Sequence, residues 1–281
     1  MIYLLLSIAS SVLLFVVFRQ MSNPKINNFH AVVVNYFTAG FVGLFFFYKD
    51  IPTYVQAVDR LLISGLMGSL FIGIFYLMLK TTQDYGISVG SVANKMAVVV
   101  PVAAAVIIYD TPFTLLKILG IVLALAGLYF TNVKTDAPGK KLINWLPLGV
   151  FAGSGLIDTL LSFAAYRVVN AFEGAFSTFT FFTAGIIGSV ILLIKKTQIS
   201  GITAIAGVIL GIVNFATIFF VMKALNSGIL DEAAFFPVNN VSIVLGSVLV
   251  SALFFKEKLN TQNIVGVCCA VAAIVLLGRA A

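Results

Sequence analysis

Long apolar stretches separated by short polar connections run along the whole chain of 281 residues. A helix needs about 20 predominantly apolar residues to cross a bilayer, and stretches of that kind recur here from end to end. We assign ten of them to membrane spans: 1–18, 31–48, 61–79, 86–109, 113–132, 144–166, 174–194, 201–222, 229–255 and 262–278. The pattern therefore predicts an all-α integral membrane protein with ten transmembrane helices.

The composition agrees with this assignment and excludes other classes. Hydrophobic residues make up 61% of the chain and charged residues only 10%, a balance that no soluble domain of this size needs. The formal charge of +7 is the difference between 17 basic and 10 acidic residues. The basic residues stand mostly in short connections beside the anionic lipid headgroups. We therefore expect the lipid bilayer as a partner, and no nucleic acid.

Motifs for catalysis are missing from the sequence. It contains one histidine and two adjacent cysteines, and it has no Walker loop, no zinc-ligand spacing and no nucleophile elbow. We therefore expect no enzyme activity, no cofactor and no metal ion.

Two segments of the chain repeat at nearly the same offset. FTAGFVG at residues 37–43 returns as FTAGIIG at residues 182–188, which is 145 positions later. In the same order, GIVLALAG from Gly120 is matched by GVCCAVAA from Gly266, 146 positions later. Matches at one offset indicate an internal duplication.

The duplication predicts two five-helix repeats, residues 1–135 and 142–281, within one membrane domain. Because five is an odd number, the second repeat must enter the membrane from the opposite side, so the repeats are inverted. Inverted repeats are common among secondary transporters, whose solute site lies near the midplane between the repeats.

Further motifs resemble the drug/metabolite transporter superfamily, specifically its ten-helix EamA-like transporters. That pattern has a proline in the fourth helix of each repeat and an acidic residue before a glycine-led fifth helix. Pro101 matches the fourth-helix proline, and Glu257 stands nine residues before Gly266. Asp110 takes the acidic position of the first repeat.

The resemblance implies a multi-pass protein of the cell (inner) membrane that exports small metabolites, such as amino acids, by alternating access. Two other functions stay open, a lipid-carrier flippase and a non-transporting scaffold or sensor subunit. A monomer and a homodimer are both compatible with the sequence. The balance of Lys and Arg between the connections favours termini outside the cell, whereas the resemblance implies termini inside.

Lys95 is the only charged residue in the predicted span 86–109. It lies roughly 14 Å from one end of that span and 21 Å from the other. A cation at that depth costs about 3 kcal/mol or more, so Lys95 is expected to face the bundle interior or a watery cavity. We therefore expect it to bind the solute, with a preference for an anionic group such as a carboxylate.

Asp158, in the predicted span 144–166, is the leading partner for Lys95. A purely structural ion pair is one interpretation of the two residues. The other is that the pair breaks during the transport cycle, which would make Lys95 and Asp158 gating or coupling residues.

Several amides and one phenol complete the predicted solute site. In the repeat alignment, Asn94 corresponds to Asn240, and Asn239 stands beside it. The further candidates on other predicted spans are Asn35, Tyr36 and Asn214. The alternative is that the amides only cross-link helices, at about 0.6 kcal/mol for each hydrogen bond.

Prolines and acidic residues mark other positions along the spans. Pro101 and Pro237 are expected to kink their helices and to free a backbone carbonyl. Glu173 and Asp231 open predicted spans, where the helix dipole favours a carboxylate, and we interpret them in that way. Lys117 and Lys223 are both counted among the basic residues of the connections.

Overall fold

The computed structural model describes residues 1–21, 23–85, 93–94, 96–109, 114–132, 145–169, 171–195, 199–254 and 261–280. Within these residues the chain forms helices and turns and contains no strand. The predicted all-α fold class is therefore confirmed. Lys95, Asp110 and Glu257 lie outside the described residues.

The described part of the chain contains eleven α-helices. They are α1 Ile2–Gln20, α2 Asn28–Phe47, α3 Ile51–Tyr54, α4 Val58–Tyr85, α5 Val99–Tyr109, α6 Leu115–Asn132, α7 Trp145–Phe163, α8 Glu173–Lys195, α9 Gly201–Asn226, α10 Glu232–Phe254 and α11 Thr261–Ala280. A π-helix, Ala164–Val169, continues α7.

Six helical segments in the described part are long and apolar enough to cross a membrane: Asn28–Phe47, Val58–Met78, Trp145–Val169, Glu173–Ile194, Gly201–Asn226 and Ala233–Val250. Four shorter apolar helices accompany them, at Ile2–Phe18, Val99–Ile108, Leu115–Phe130 and Ile264–Leu277. The chain is thus a multi-pass membrane protein. That all ten predicted spans cross the membrane stays a prediction.

The chain divides into two compact units, and each unit takes residues from both sequence halves. Unit 1 consists of Met1–Gly73 and Phe163–Ser227, and unit 2 consists of Ile74–Ser162 and Gly228–Ala281. The inverted repeats 1–135 and 142–281 stay a prediction from the sequence.

In unit 1, α9 lies directly against α2 because glycines remove the side chains between them. A Cβ atom at Gly207 would lie 2.6 Å from the carbonyl oxygen of Ala31, and one at Gly211 would lie 2.6 Å from that of Asn35. These two glycines are four residues apart, so both stand on one face of α9. The spacing therefore serves close helix packing within the unit.

The two FTAG segments of unit 1 pack against each other, α2 on α8, in a reciprocal way. A Cβ atom at Gly40 would lie 2.8 Å from the ring of Phe182, and one at Gly185 would lie 3.2 Å from the ring of Phe37. Each phenylalanine thus covers the glycine of the other segment. The two rings themselves are 6.5 Å apart between centroids.

The short helix α3 is fixed to unit 1 through a fully buried tyrosine. Tyr54 donates a 3.0 Å hydrogen bond to the Arg60 carbonyl oxygen and shares one of 2.6 Å with Ser64 Oγ. Its ring stacks on that of Phe179 with centroids 5.5 Å apart. Burial raises the pKa of Tyr54 to about 12, so the hydroxyl stays protonated at neutral pH.

In unit 2, α6 and α11 pack through small residues. A Cβ atom at Gly127 would lie 3.0–3.1 Å from the backbone of Ala270 and Gly266, and one at Gly120 would lie 2.7 Å from the Leu277 side chain. The hydrophobic core beside this contact also takes residues from α5 and α10. Its buried members are Val102, Ile121, Ala234, Val238 and Leu277.

Candidate functional sites in the two units

Two of the predicted amides meet inside unit 1. Asn214 Nδ2 on α9 donates a 3.1 Å hydrogen bond to Asn35 Oδ1 on α2. Asn35 is 2% exposed and lies about 10 Å from the start of α2 and about 18 Å from its end. The close backbone approach at Gly211 brings the two amides within reach of each other. This hydrogen bond therefore lies deep within two apolar helices.

Tyr36, next to Asn35, lies in an aromatic environment. Its ring stacks on that of Phe181 on α8 with centroids 6.1 Å apart. Phe181 is fully buried and also contacts the rings of Phe71 and Phe215. Tyr36 thus belongs to a packed aromatic cluster beside the amide pair.

Asn94 makes a polar contact inside unit 2. Its Nδ2 donates a 2.8 Å hydrogen bond to Ser154 Oγ on α7, and Ser154 is buried. One residue further along α7, a Cβ atom at Gly155 would lie 2.4 Å from the Val100 side chain. Close packing again places two polar side chains together.

The remaining predicted site residues of unit 2 lie on α7 and α10. Asn239 is buried, and Asn240 and Asp158 are half-buried. Because Lys95 is outside the described residues, its pairing with Asp158 stays a prediction.

The two prolines differ in their local backbone. The helical residues before Pro101 give way to a turn at 97–98, and the Ala97 carbonyl oxygen accepts a 2.9 Å hydrogen bond from Val100 N. A proline ring clashes with the carbonyl four residues earlier, which here is that of Ala97. By contrast, α10 continues without interruption through Pro237.

A charged cluster in unit 1 was not predicted. Glu173, the first residue of α8, has a side chain that is 3% exposed and lies 3.0 Å, Oε2 to Nζ, from Lys223 on α9. Its other oxygen, Oε1, accepts a 2.7 Å hydrogen bond from Asn226 Nδ2. The helix dipole is therefore only part of what holds this carboxylate.

A second ion pair joins two helix N-termini of unit 2. Lys117, in the first turn of α6, pairs with Asp231, and their side chains are 3% and 22% exposed. Asp231 Oδ1 also accepts a 2.8 Å hydrogen bond from Ala234 N, so this residue caps α10. A cation is unfavourable at a helix N-terminus, and the ion pair with Asp231 offsets this effect for Lys117.

These pairs correct our interpretation of the lysines as residues of the connections. Lys117 is the only charged residue in the predicted span 113–132, which is the signal that singled out Lys95. Lys117 was nevertheless counted among the basic residues of the connections. Lys223 directly follows a predicted span, and nothing in its sequence neighbourhood indicates Glu173.

A metal centre finds no support in the part of the chain that the structure describes. No group of three or more His, Cys, Asp or Glu side chains comes together there as it would around an ion.

Comparison with known proteins finds a family to which part of this chain is similar. The EamA-like transporter family matches residues 1–133, which confirms the predicted resemblance to the drug/metabolite transporter superfamily. Residues 1–133 are thus similar to the EamA-like transporter family.

One curated relative and one solved structure extend the similarity to nearly the full length. An uncharacterized protein of Haemophilus influenzae is 27% identical over 286 aligned positions, which cover 98% of this chain and 96% of that protein. A protein crystal structure matches with a TM-score of 0.77 and 13% identity over 99% of each chain. At that identity, the match shows a common fold.

Proposed function

We propose that this chain is a secondary transporter of the cell (inner) membrane that exports small metabolites, such as amino acids, by alternating access. The match of residues 1–133 to a transporter family supports the class. Export, the solute class and the mechanism are our proposal.

The observation that carries the proposal is the buried hydrogen bond between Asn35 and Asn214. A primary amide has two donors and an acceptor with two lone pairs, so one hydrogen bond leaves each of these residues with further capacity. Polar groups are expensive inside a membrane and usually belong to a solute path or to helix contacts. We assign this pair to solute contact, with Tyr36 beside it.

The same reasoning extends the proposal to unit 2. Asn94, Asn239 and Asn240 are proposed to contact the solute, and Lys95 is proposed to bind its anionic end. Lys95 and Asp158 are also the proposed gating or coupling pair.

The reciprocal contacts of the FTAG segments support inverted repeats. Phe37 covers Gly185, and Phe182 covers Gly40. Phe182 is the repeat equivalent of Phe37, 145 positions later, and Gly185 is that of Gly40, so the repeat relation turns one contact into the other. A two-fold axis produces such a pair of contacts, because it exchanges the two segments and places each residue on its equivalent. An inverted repeat has an axis of this kind.

The test is transport by purified protein in liposomes loaded with a panel of metabolites. Asn35→Leu and Asn214→Leu are each expected to lower the initial rate by about tenfold. Thr217→Val is the matched control, because the Thr217 hydroxyl already donates to the Val213 carbonyl of its own helix. This control is expected to transport normally.

Two results would contradict the assignment. If the asparagine variants lose stability but keep the full rate per folded molecule, the pair is a helix cross-link of about 0.6 kcal/mol. If the wild-type protein moves fluorescent lipids but no soluble metabolite, the function is that of a flippase.

A further inference from the structure

The chain passes between the two units at three points, after Gly73, after Ser162 and after Ser227. At each point the regular helix is weakened or ends. We propose that these three positions are hinges at which helices bend during the transport cycle. This inference rests on the proposed function, because a hinge serves a protein that alternates between conformations.

The first hinge is Gly73, inside the long helix α4. Glycine is disfavoured within a helix relative to alanine, because it loses more conformational freedom on folding. Packing does not require it here, since a Cβ atom at Gly73 would meet no atom of the described residues within 4 Å. Packing therefore does not explain this glycine, and its position where the chain passes between the units points to bending.

The second hinge is the junction of α7 with the π-helix Ala164–Val169. The junction falls at Phe163, which is also the first residue after the passage into unit 1. π-helical turns are rare, and they mark places where the regular hydrogen-bond ladder of an α-helix changes its register. Such a turn bends a helix without a proline.

The third hinge is the connection 227–230, where Gly228 has a φ of +61°. This left-handed conformation favours glycine and also ends α9. An anchor stands on each side of the connection. Lys223 holds the end of α9 to Glu173 in unit 1, and Asp231 is held by Lys117 in unit 2. The two anchors confine a change of direction to the residues between them.

The chain offers a matched pair of variants that isolates the first hinge. A Cβ atom at Gly65, in the same helix α4, also meets no atom of the described residues within 4 Å. Gly65→Ala and Gly73→Ala are therefore the same change in two open positions of one helix. Both substitutions are expected to leave the thermal stability unchanged or to raise it. The two positions differ because only Gly73 lies where the chain passes between the units.

Two measurements on the full-length protein test the inference. In liposomes, Gly73→Ala is expected to lower the transport rate at least fivefold, while Gly65→Ala keeps the wild-type rate. In hydrogen–deuterium exchange, the amides of residues 74–78 are expected to exchange at least fivefold more slowly in Gly73→Ala than in Gly65→Ala.

Equal exchange in the two variants would overturn the hinge. This result does not depend on whether a solute has been found. If the wild-type protein moves no metabolite while the exchange difference is present, the hinge stands and the proposed function fails. If transport is present and both variants keep the full rate, the hinge has no part in the cycle and the inference is wrong.

Discussion

The ion pairs of the two units bury opposite charges. In unit 1 the buried member is the acid, since the Glu173 side chain is almost fully covered and Lys223 is partly exposed. In unit 2 the buried member is the base, since Lys117 is covered and Asp231 is partly exposed. Removing the exposed partner takes an ion pair away from a charge that is shielded from water, so we expect the two pairs to be sensitive to the loss of opposite members.

The helix dipoles make the two cases unequal. Glu173 stands at the N-terminus of α8, where the dipole favours a carboxylate, and it also accepts a hydrogen bond from Asn226. Lys117 stands near the N-terminus of α6, where the dipole opposes a cation. The buried charge of unit 1 is therefore favoured by its own helix, whereas that of unit 2 is opposed by its own helix.

The largest effect is expected for Asp231→Asn. Asparagine keeps the capping interaction with Ala234 N, so the change removes the negative charge alone. The Lys117 ammonium, which is 3% exposed, then loses its ion pair with Asp231, and we expect the free energy of unfolding to fall by about 3–5 kcal/mol. Denaturant unfolding in detergent micelles measures this loss.

A double variant checks that the loss comes from the pair. Lys117→Met together with Asp231→Asn removes both charges, and replacement of a buried pair by apolar residues is often close to neutral. We expect the double variant to recover most of the stability. A double variant as unstable as Asp231→Asn would show that Lys117 is not the cause.

A smaller effect is expected for Lys223→Met in unit 1. Glu173 keeps the Asn226 hydrogen bond and the favourable end of α8, so we expect a loss of about 1–3 kcal/mol in the same unfolding assay. Adding Asn226→Ala is expected to lower the stability by about 1 kcal/mol more. If Asn226→Ala causes no further loss of stability in the Lys223→Met variant, the hydrogen bond from Asn226 does not stabilise Glu173.

The smallest effect is expected for Lys117→Met. Asp231 is left partly exposed and continues to cap α10, so we expect the free energy of unfolding to fall by less than about 1 kcal/mol. The loss of stability in Lys117→Met, compared with that in Asp231→Asn, is the most direct test of whether the buried lysine needs the ion pair more than the partly exposed aspartate does. Equal losses in the two single variants would mean that Lys117 reaches water and is not a buried cation.

The candidate sites were only partly predictable from the sequence. Asn35 and Asn214 were both singled out because an amide within an apolar span is conspicuous, but their hydrogen bond was not foreseen. The glycines at 207 and 211 had the right spacing for close packing, and the structure shows α2 as the helix they face. Spacing along one helix predicts which residues share a face, but it does not predict which other helix packs against that face.

The sequence alone determined the class of structure, because about 20 apolar residues in a bilayer leave the helix as the only way for a single segment to satisfy its backbone. It also indicated the transporter family and the repeated FTAG segments. The tertiary structure decided which polar groups meet, such as Asn35 with Asn214 across 179 residues of chain and Lys117 with Asp231. The physical reason is that lipid is as apolar as the helix surfaces, so hydrophobicity does not select their partners. Small residues, hydrogen bonds and ion pairs make that selection, and they act only when the helices come together.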